Sequence, residues 1–224
     1  MIASVIVRTY NEGQWIRRCL VALQNQDCED FEIIVVDSGS TDNTIEIVNQ
    51  FDVKLLRVEG RYFPGKSLNA GISNSSGRYA AILSAHCIPL NDKWLQRMLV
   101  CFAEPNIACV YGMQEPLPDS DPFDKRDLWT VFGKEKKIQK KDYFFHNANS
   151  MIKRDIWENL RFDETLPSLE DQAWAKQVIN QGYYIMYEPN ASVYHFHGIH
   201  QGRDEKRADR VVKVIELLKQ DGIT

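Results

Sequence analysis

Along the first hundred residues, short apolar runs alternate with stretches whose apolar residues recur at helical spacing. Ala3 to Val7 is a β-branched run, and residues 31–36 read FEIIVV. Helical spacing follows the first run, at Trp15, Ile16, Cys19, Leu20 and Leu23. Strands that are apolar on both sides are typical of a parallel sheet covered by helices on both faces. The pattern therefore predicts an α/β fold with a mostly parallel, Rossmann-like sheet and ligands at the carboxyl ends of its strands.

The same periodicity predicts the remaining elements. Strands are predicted at residues 53–58 and 79–83, and helices near residues 67–75, 92–102, 170–181 and 206–219. The second half of the chain is less regular, with a proline-rich segment at residues 114–122 and a charged segment at residues 125–141. A chain of 224 residues without repeats or low-complexity linkers predicts one continuous domain.

Composition excludes several classes of protein. Hydrophobic residues make up 44% and charged residues 26%, which is typical of a globular domain. A net charge of −4 gives no general attraction to nucleic acid, so we expect no nucleic-acid partner. Because no apolar run reaches membrane-spanning length and the first residues lack a signal-peptide pattern, we expect a cytoplasmic protein. The five cysteines lack C-x-x-C spacing and are expected to be reduced thiols, mostly in the core.

The segment GRYFPGKS, residues 60–67, satisfies the P-loop spacing G-x-x-x-x-G-K-[ST]. A P-loop binds phosphate through successive backbone N–H groups. Pro64 has no N–H, and the pair Tyr62 and Phe63 is bulky for so tight a loop. The flanking residues are nevertheless compatible with a strand followed by a helix. A P-loop phosphotransferase that uses Lys66 therefore stays an alternative.

Two polar loops follow the first two predicted strands, RTYNE at residues 8–12 and DSGSTD at residues 37–42. Both lie where a ligand of an open α/β sheet binds. A carboxylate there can accept hydrogen bonds from a nucleobase or a ribose, and the Tyr10 ring can stack on a base. Acids in such positions also cap helices, so Glu12 and Asp42 each have a structural alternative.

Three segments together resemble a known family: SVIVRTYNE, IIVVDSGSTDNT and KSLNAGISNSSGRY. They are similar to the inverting family 2 glycosyltransferases of the GT-A fold. The resemblance implies a hexosyltransferase with one GT-A domain over residues 1–224, divided into a nucleotide-sugar-binding half, 1–112, and a continuous acceptor and catalytic half, 113–224. It also implies a nucleotide-sugar site formed by Thr9, Tyr10, Glu12, Asp37, Gly39, Asn69, Ser84, His86 and Asn149. GRYFPGKS then becomes the entry to a helix beside the nucleotide.

The resemblance is incomplete where the family carries Asp-x-Asp, because this chain has Ser84, Ala85 and His86. Carboxylates there hold Mg²⁺ or Mn²⁺ in the family, so a divalent cofactor is possible but its requirement is in doubt. His86 with His195 and His197 forms one candidate metal-ligand set, since the last two share a face on a strand. Hydrogen bonding to a phosphate and plain packing are the alternatives. Imidazole ligands predict Mn²⁺ over Mg²⁺.

The segment SLEDQAW contains the predicted catalytic acids, Glu170 and Asp171. The apolar stripe of the following helix directs Asp171 toward the core, and family position makes it the general base that deprotonates the acceptor hydroxyl. The alternative is an acid that complements the helix dipole. Asn147 and Asn149 are candidate sugar ligands, or turn residues.

A nucleotide-diphosphate sugar is the implied donor, and a glycan or lipid-linked sugar the implied acceptor. Five lysines between residues 134 and 141 could contact a lipid-linked diphosphate or a membrane surface peripherally, or simply be solvated. The later spacing is similar to that of bacterial rhamnosyltransferase-like members, which build surface polysaccharides. A catalytically inactive nucleotide-sugar-binding protein is the further alternative.

Overall fold

The structure, a computed structural model, describes residues 1–196. Its strands are β1 Ala3–Thr9, β2 Phe31–Asp37, β3 Lys54–Arg57, β4 Tyr79–Ser84, β5 Cys87–Pro89, β6 Ile107–Pro116, β7 Lys137–Gln139, β8 Asn149–Lys153 and β9 Tyr184–His195. Its helices are α1 Ile16–Gln24, α2 Thr44–Val48, α3 Pro64–Ser73, α4 Trp94–Val100, α5 Pro122–Val131, α6 Arg154–Asn159 and α7 Glu170–Asn180. Within this range no helix has the length and apolar character needed to cross a bilayer.

The nine strands form one sheet in the order β3-β2-β1-β4-β8-β6-β9-β5, with β7 paired to β9. Strands β1 to β4 pair in parallel, as predicted from their apolar runs. Strand β8 then lies antiparallel between β4 and β6, and it restores the original direction for β6 and its parallel partner β9. The carboxyl ends of β1, β2, β4, β6 and β9 therefore share one edge of the sheet, here called the carboxyl edge.

Each face of the sheet is covered by its own hydrophobic cluster, because side chains alternate along a strand. Val5 and Val7 of β1 pack in the cluster that includes residues of α1, α2 and α4. Ile6 points the other way, into the cluster with α3, α6 and α7. At Gly71 of α3 an added Cβ would lie 2.4 Å from the Ile6 side chain, so only glycine permits this close approach. The first turn of α3 lies beside the carboxyl edge, where Ser67 Oγ is 3.1 Å from Ser38 Oγ, just after β2.

Most predicted elements are present within a few residues of their expected bounds. The predicted strand at residues 53–58 is shorter, Lys54–Arg57, and the predicted helix at residues 67–75 begins earlier, at Pro64. Proline at the first helical position is favourable, since its missing N–H would have no intrahelical partner there. The expected helix at residues 206–219 and His197 lie outside the described residues.

Candidate active site at the carboxyl edge

The loops after β1 and β2 are joined by hydrogen bonds that the sequence did not reveal. Asn11 adopts a left-handed backbone with φ 53°, and its Oδ1 accepts from the Thr41 N–H at 2.8 Å. The Glu12 N–H donates to Thr44 Oγ1 at 2.8 Å. Asparagine tolerates this backbone because its short side chain bonds nearby backbone groups. The two loops therefore form one rim along the carboxyl edge.

Several residues predicted to bind the nucleotide lie on this rim. Tyr10 is 54% exposed, so its ring face is open to a ligand. Thr9 is buried. Asp37 is also buried and accepts from the N–H groups of Gly39 at 3.1 Å and Ser40 at 3.1 Å. Gly39 has φ 94°, which a residue with a side chain rarely adopts. Asp37 thus shapes the loop as well as bordering the site.

The predicted acids lie at the start of α7, where both side chains are buried, as the helix pattern predicted for Asp171. Asp171 accepts from two backbone groups, the Asn147 N–H at 3.1 Å and the Gln172 N–H at 2.8 Å. Glu170 Oε1 accepts from Asn147 Nδ2 at 3.3 Å and lies 3.4 Å from Arg8 Nη1. Asn147 therefore contacts both acids, once through its backbone and once through its side chain.

Burial governs the charge of this acid pair. Burial, together with the negative charge of Asp171, raises the pKa of Glu170 to about 7, although Arg8 and Asn147 oppose the shift. Burial also raises the pKa of Asp171, while its backbone hydrogen bonds and Arg8 act in the opposite direction. A carboxylate whose pKa is raised toward neutrality is a stronger base than an exposed one. The pair is therefore suited to accept a proton.

Arg8 is a site residue that the sequence analysis did not single out. It stands near the end of β1, and its Nη2 donates to Ser84 Oγ at 3.3 Å at the end of β4. Its second branch reaches Glu170 at the start of α7. Only the pairing of β1 with β4 and the position of α7 bring these residues together, so no local pattern could have revealed the contact.

The histidines meet beside the rim. Glu12 Oε1 lies 2.6 Å from His86 Nδ1, and the His86 ring stacks on His195 at a centroid distance of 5.2 Å. A ligand atom from each of His86, His195 and Cys87 lies within 4.8 Å of the others. The predicted His86 and His195 pair is therefore close enough to share an ion, with Cys87 as an unpredicted neighbour.

The donor types decide which ion would fit. Imidazole nitrogens suit transition metals better than Mg²⁺, which prefers oxygen ligands. Burial raises the pKa of the Cys87 thiol well above its ordinary value, which disfavours the thiolate that binds metals. The residues fit a transition-metal ion held by His86 and His195, with Glu12 orienting the His86 ring.

Buried polar atoms without a hydrogen-bond partner also mark the carboxyl edge. Within residues 1–196 they include Arg8 Nε, Thr9 Oγ1, Ser168 Oγ and both amide atoms of Gln114. Gln114 is in the last part of β6, and Ser168 comes just before α7. Buried polar groups in folded proteins are normally paired, so such a concentration indicates groups that a ligand or water would satisfy.

The family model for glycosyl transferase family 2 matches residues 4–161, which is more than half of the chain. This chain belongs to glycosyl transferase family 2.

Similar proteins include other glycosyltransferases. Glycosyltransferase AglE of Haloferax volcanii is 29% identical over 194 residues, covering 82% of this chain and 63% of AglE. O-antigen chain rhamnosyltransferase WbaN of Salmonella anatum is 28% identical over 211 residues, covering 87% of this chain and 66% of WbaN. The chain thus spans about two thirds of the length of these relatives.

A solved structure gives the fold. Mannosyltransferase PcManGT from Pyrobaculum calidifontis, in complex with GDP-Man and Mn²⁺, superposes with a TM-score of 0.75 at 24% identity. The match covers 99% of this chain and 65% of the other. It confirms the predicted GT-A type of α/β fold.

Two predicted sugar-nucleotide ligands of this family 2 chain have amide groups that are hydrogen-bonded within the protein. Asn149 is fully buried: its Oδ1 accepts from Trp94 Nε1 at 2.8 Å, and its Nδ2 donates to Met113 O at 3.0 Å and Ala191 O at 2.9 Å. Because both amide protons are used inside the core, Asn149 joins strands, and its contact with a sugar nucleotide stays a prediction.

Asn69 has a similar structural role on α3. Its Nδ2 donates to Phe162 O at 2.9 Å and to Glu164 Oε1 at 2.8 Å. Its Oδ1 accepts from Trp157 Nε1 at 3.0 Å and from the Phe162 N–H at 3.2 Å. All four bonds attach residues 157–164 to α3, so Asn69 has no free donor for a nucleotide.

The GRYFPGKS segment is not arranged as a phosphate cradle. Lys66 Nζ donates to the Glu59 carbonyl at 2.9 Å. At Gly65 an added Cβ would lie 2.1 Å from Asp163 O, so this glycine is needed for packing against the segment before α7. Both glycine and lysine of the motif therefore have structural explanations.

Proposed function

We propose that this protein is an inverting glycosyltransferase that moves a sugar from a nucleotide-diphosphate sugar to a hydroxyl of a glycan or lipid-linked glycan, in the synthesis of surface polysaccharide or glycoconjugate. The observation that carries the proposal is the buried pair Glu170 and Asp171 at the carboxyl edge, among polar atoms that lack partners. Family membership supports the type of reaction. The name of the relative WbaN supports polysaccharide as the product class.

In this proposal Asp171 is the general base. Its carboxylate takes the proton of the acceptor hydroxyl while that oxygen attacks the anomeric carbon and the nucleoside diphosphate leaves from the opposite side. One bond forms as the other breaks, so the anomeric configuration inverts. The N–H groups of Asn147 and Gln172 fix the orientation of the Asp171 carboxylate. Glu170 is next to Asp171, and the negative charges of the two carboxylates repel each other.

The donor would lie along the rim. Tyr10 offers an exposed ring for the base, and Thr9 Oγ1 is a buried hydroxyl that has no protein partner among the described residues. Glu12, Asp37 and Ser84 are the remaining proposed contacts. The halves 1–112 and 113–224 would then correspond to the donor and acceptor sides of the site.

A divalent metal ion would be held by His86 and His195, and would neutralise the diphosphate when bound. The similar structure of PcManGT was solved in complex with GDP-Man and Mn²⁺, which supports a divalent ion as a cofactor. The imidazole donors predict Mn²⁺ over Mg²⁺. Equal support of donor binding by both ions, or full binding in chelator, would contradict imidazole ligation.

Peripheral contact with a membrane is a separate part of the proposal. Lys134, Lys137 and Lys141 are exposed, whereas Lys136 is paired with Glu188 at 3.1 Å. Co-sedimentation with vesicles of anionic and of neutral phospholipid tests this contact. Binding to neither vesicle would remove the membrane from the proposal without affecting the transfer reaction.

The decisive experiment measures calorimetric binding of UDP, TDP, GDP, CDP and ATP, each with Mn²⁺ and with chelator. Preference for one diphosphate identifies the donor base. The corresponding sugar nucleotides are then tested for transfer, and NMR of the product reports the anomeric configuration. Retained configuration, or binding of ATP alone, would contradict the proposal.

A further inference from the structure

Arg8 connects three elements at the carboxyl edge through a nearly buried positive charge. Its side chain is 14% exposed and that of Glu170 is 5% exposed, and Nη1 lies 3.4 Å from Glu170 Oε1. Nη2 donates to Ser84 Oγ, and Nε is buried with no hydrogen-bond partner in residues 1–196. A guanidinium stays protonated at any pH at which an enzyme works. A permanent charge is therefore fixed between β1, β4 and the first turn of α7.

Arg8 also faces other titratable groups, and these must be considered together. Burial lowers the pKa of Arg8, but the Tyr62 phenol before α3, the two acids and the Cys87 thiol in β5 oppose this, so the pKa is raised overall. The acids in turn face Arg8, the Asn147 side chain and the backbone N–H groups of Asn147 and Gln172. The Cys87 thiol is neutral because burial raises its pKa well above the ordinary value.

The charge balance shows what Arg8 contributes. With both acids ionised, Arg8 reduces the local charge from −2 to −1. Two buried like charges without a cation are strongly unfavourable, and such a pair retains a proton. Asn147 and Gln172 donate hydrogen bonds to the acids but carry no charge that could replace the guanidinium.

We propose that Arg8 is a positioning residue for the transfer reaction: its guanidinium stabilises the ionised acid pair, so that Asp171 is available as a base at neutral pH, and holds Glu170 against the strand ends. This inference rests on the proposed function, since it assigns Arg8 a role through Asp171. In this role Arg8 acts on the acid pair, whereas an arginine that binds the donor would contact its phosphate directly.

The test compares pH profiles of kcat and KM for the wild type, Arg8→Met and Arg8→Lys. In Arg8→Met the acid limb of the kcat profile shifts to higher pH by about one unit or more, because an acid pair without a nearby cation holds its proton more tightly. Activity at pH 7 then falls roughly tenfold and recovers at alkaline pH. Arg8→Lys keeps the charge and leaves the limb close to that of the wild type. The donor KM changes less than kcat.

The matched control is Arg126→Met, which removes an arginine from the exposed face of α5, where it pairs with Asp127. Its profile should match the wild type. A loss of kcat by the same factor at every pH in Arg8→Met, or a raised donor KM with an unchanged profile, would overturn the inference. If Arg8→Met does not fold, Arg8→Gln supplies the same neutral replacement with hydrogen-bond donors retained.

A second readout does not depend on turnover. Carbon-13 NMR of labelled carboxyl groups follows the titration of Glu170 and Asp171 in the wild type and in the Arg8 variants. A shift of both titrations to higher pH in the neutral variants supports the inference even if no donor is turned over. If the wild type catalyses transfer but the carboxyl titrations are unchanged in the neutral variants, the role of Arg8 is refuted and the proposed function is not. If the wild type catalyses no transfer, the proposed function is refuted.

Discussion

Acidic residues lie at the start of two helices beside the carboxyl edge, exposed to solvent at α2 and buried at α7. Asp42 precedes α2 and is exposed, and its carboxylate accepts from the N–H groups of Thr44 and Gly13, each at 3.0 Å. Slight burial raises the pKa of Asp42, but these hydrogen bonds outweigh it and the pKa is lowered overall. Glu170 and Asp171 start α7 in a buried position, where their pKa values are raised.

The difference shows that position in a helix does not by itself fix what an acid does. Near α2, water solvates the carboxylate and its charge stabilises the loop. Near α7, the core removes that water, so the charged form becomes costly and its proton affinity rises. The first arrangement is suited to structure and the second to proton transfer. The following predictions test this contrast.

The largest effect is expected at Asp171. Replacement by Asn removes the proposed base while retaining its shape, so kcat for transfer should fall by on the order of 10² to 10⁴. Asp155→Asn is the control, because Asp155 is an exposed acid in the first turn of α6. Activity of Asp171→Asn within a few-fold of the wild type would place the base elsewhere.

The second effect concerns stability and pH at Glu170. Its pKa is about 7 in the folded protein against an ordinary value of 4.5, so folding favours the protonated form. The fold therefore loses stability as pH rises from 4.5 to about 7, by an amount on the order of 3 kcal/mol. Because glutamine does not titrate, Glu170→Gln should not show this loss of stability.

Urea unfolding of both proteins at pH 5 and pH 8 measures the difference. The free energy of unfolding of Glu170→Gln, relative to the wild type, should be higher at pH 8 than at pH 5. The opposite sign would mean that Glu170 is ionised in the folded state over this range, and the contrast with Asp42 would disappear.

A smaller effect is expected at Asp42. Asp42→Ala removes the acceptor for Thr44 and Gly13, and should lower the free energy of unfolding by about 1 kcal/mol at neutral pH. Since the folded pKa is below the ordinary value, the stabilisation is present above 3.8 and is lost as pH falls through the folded pKa. Thermal unfolding at pH 7 and near pH 3 would show this. A larger loss at the lower pH would contradict it.

The smallest effect is expected at Lys66, near the start of α3. Its amine bonds a carbonyl of its own loop, so Lys66→Ala should leave the affinity for nucleoside diphosphates and for ATP unchanged. Calorimetric titration makes the measurement. A tenfold or greater loss of ATP affinity would support the P-loop interpretation. The start of α3 would then bind the nucleotide.

The sequence predicted the parts of the site that depend on local pattern. The core-facing position of Asp171 follows from the apolar stripe of α7 and is confirmed by its burial. The core hydrogen bonds of Asn69 and Asn149 were not predicted, because a polar residue near a ligand-binding loop looks the same in sequence whether its partners are ligand or core. Their partners, such as Phe162 and Trp94, lie 93 and 55 residues away in the chain.

By itself the sequence determined the alternation of strands and helices and the direction of the first four strands, and it predicted which acids begin α7, since these depend on periodicity and on motifs a few residues long. Only the tertiary structure decided which side chains share a site. His86 stacks on His195 because β5 pairs antiparallel with β9, and Arg8 meets Glu170 across 162 residues where the end of β1 meets the start of α7. Burial at that junction, which no local pattern encodes, decides the charge of the acid pair.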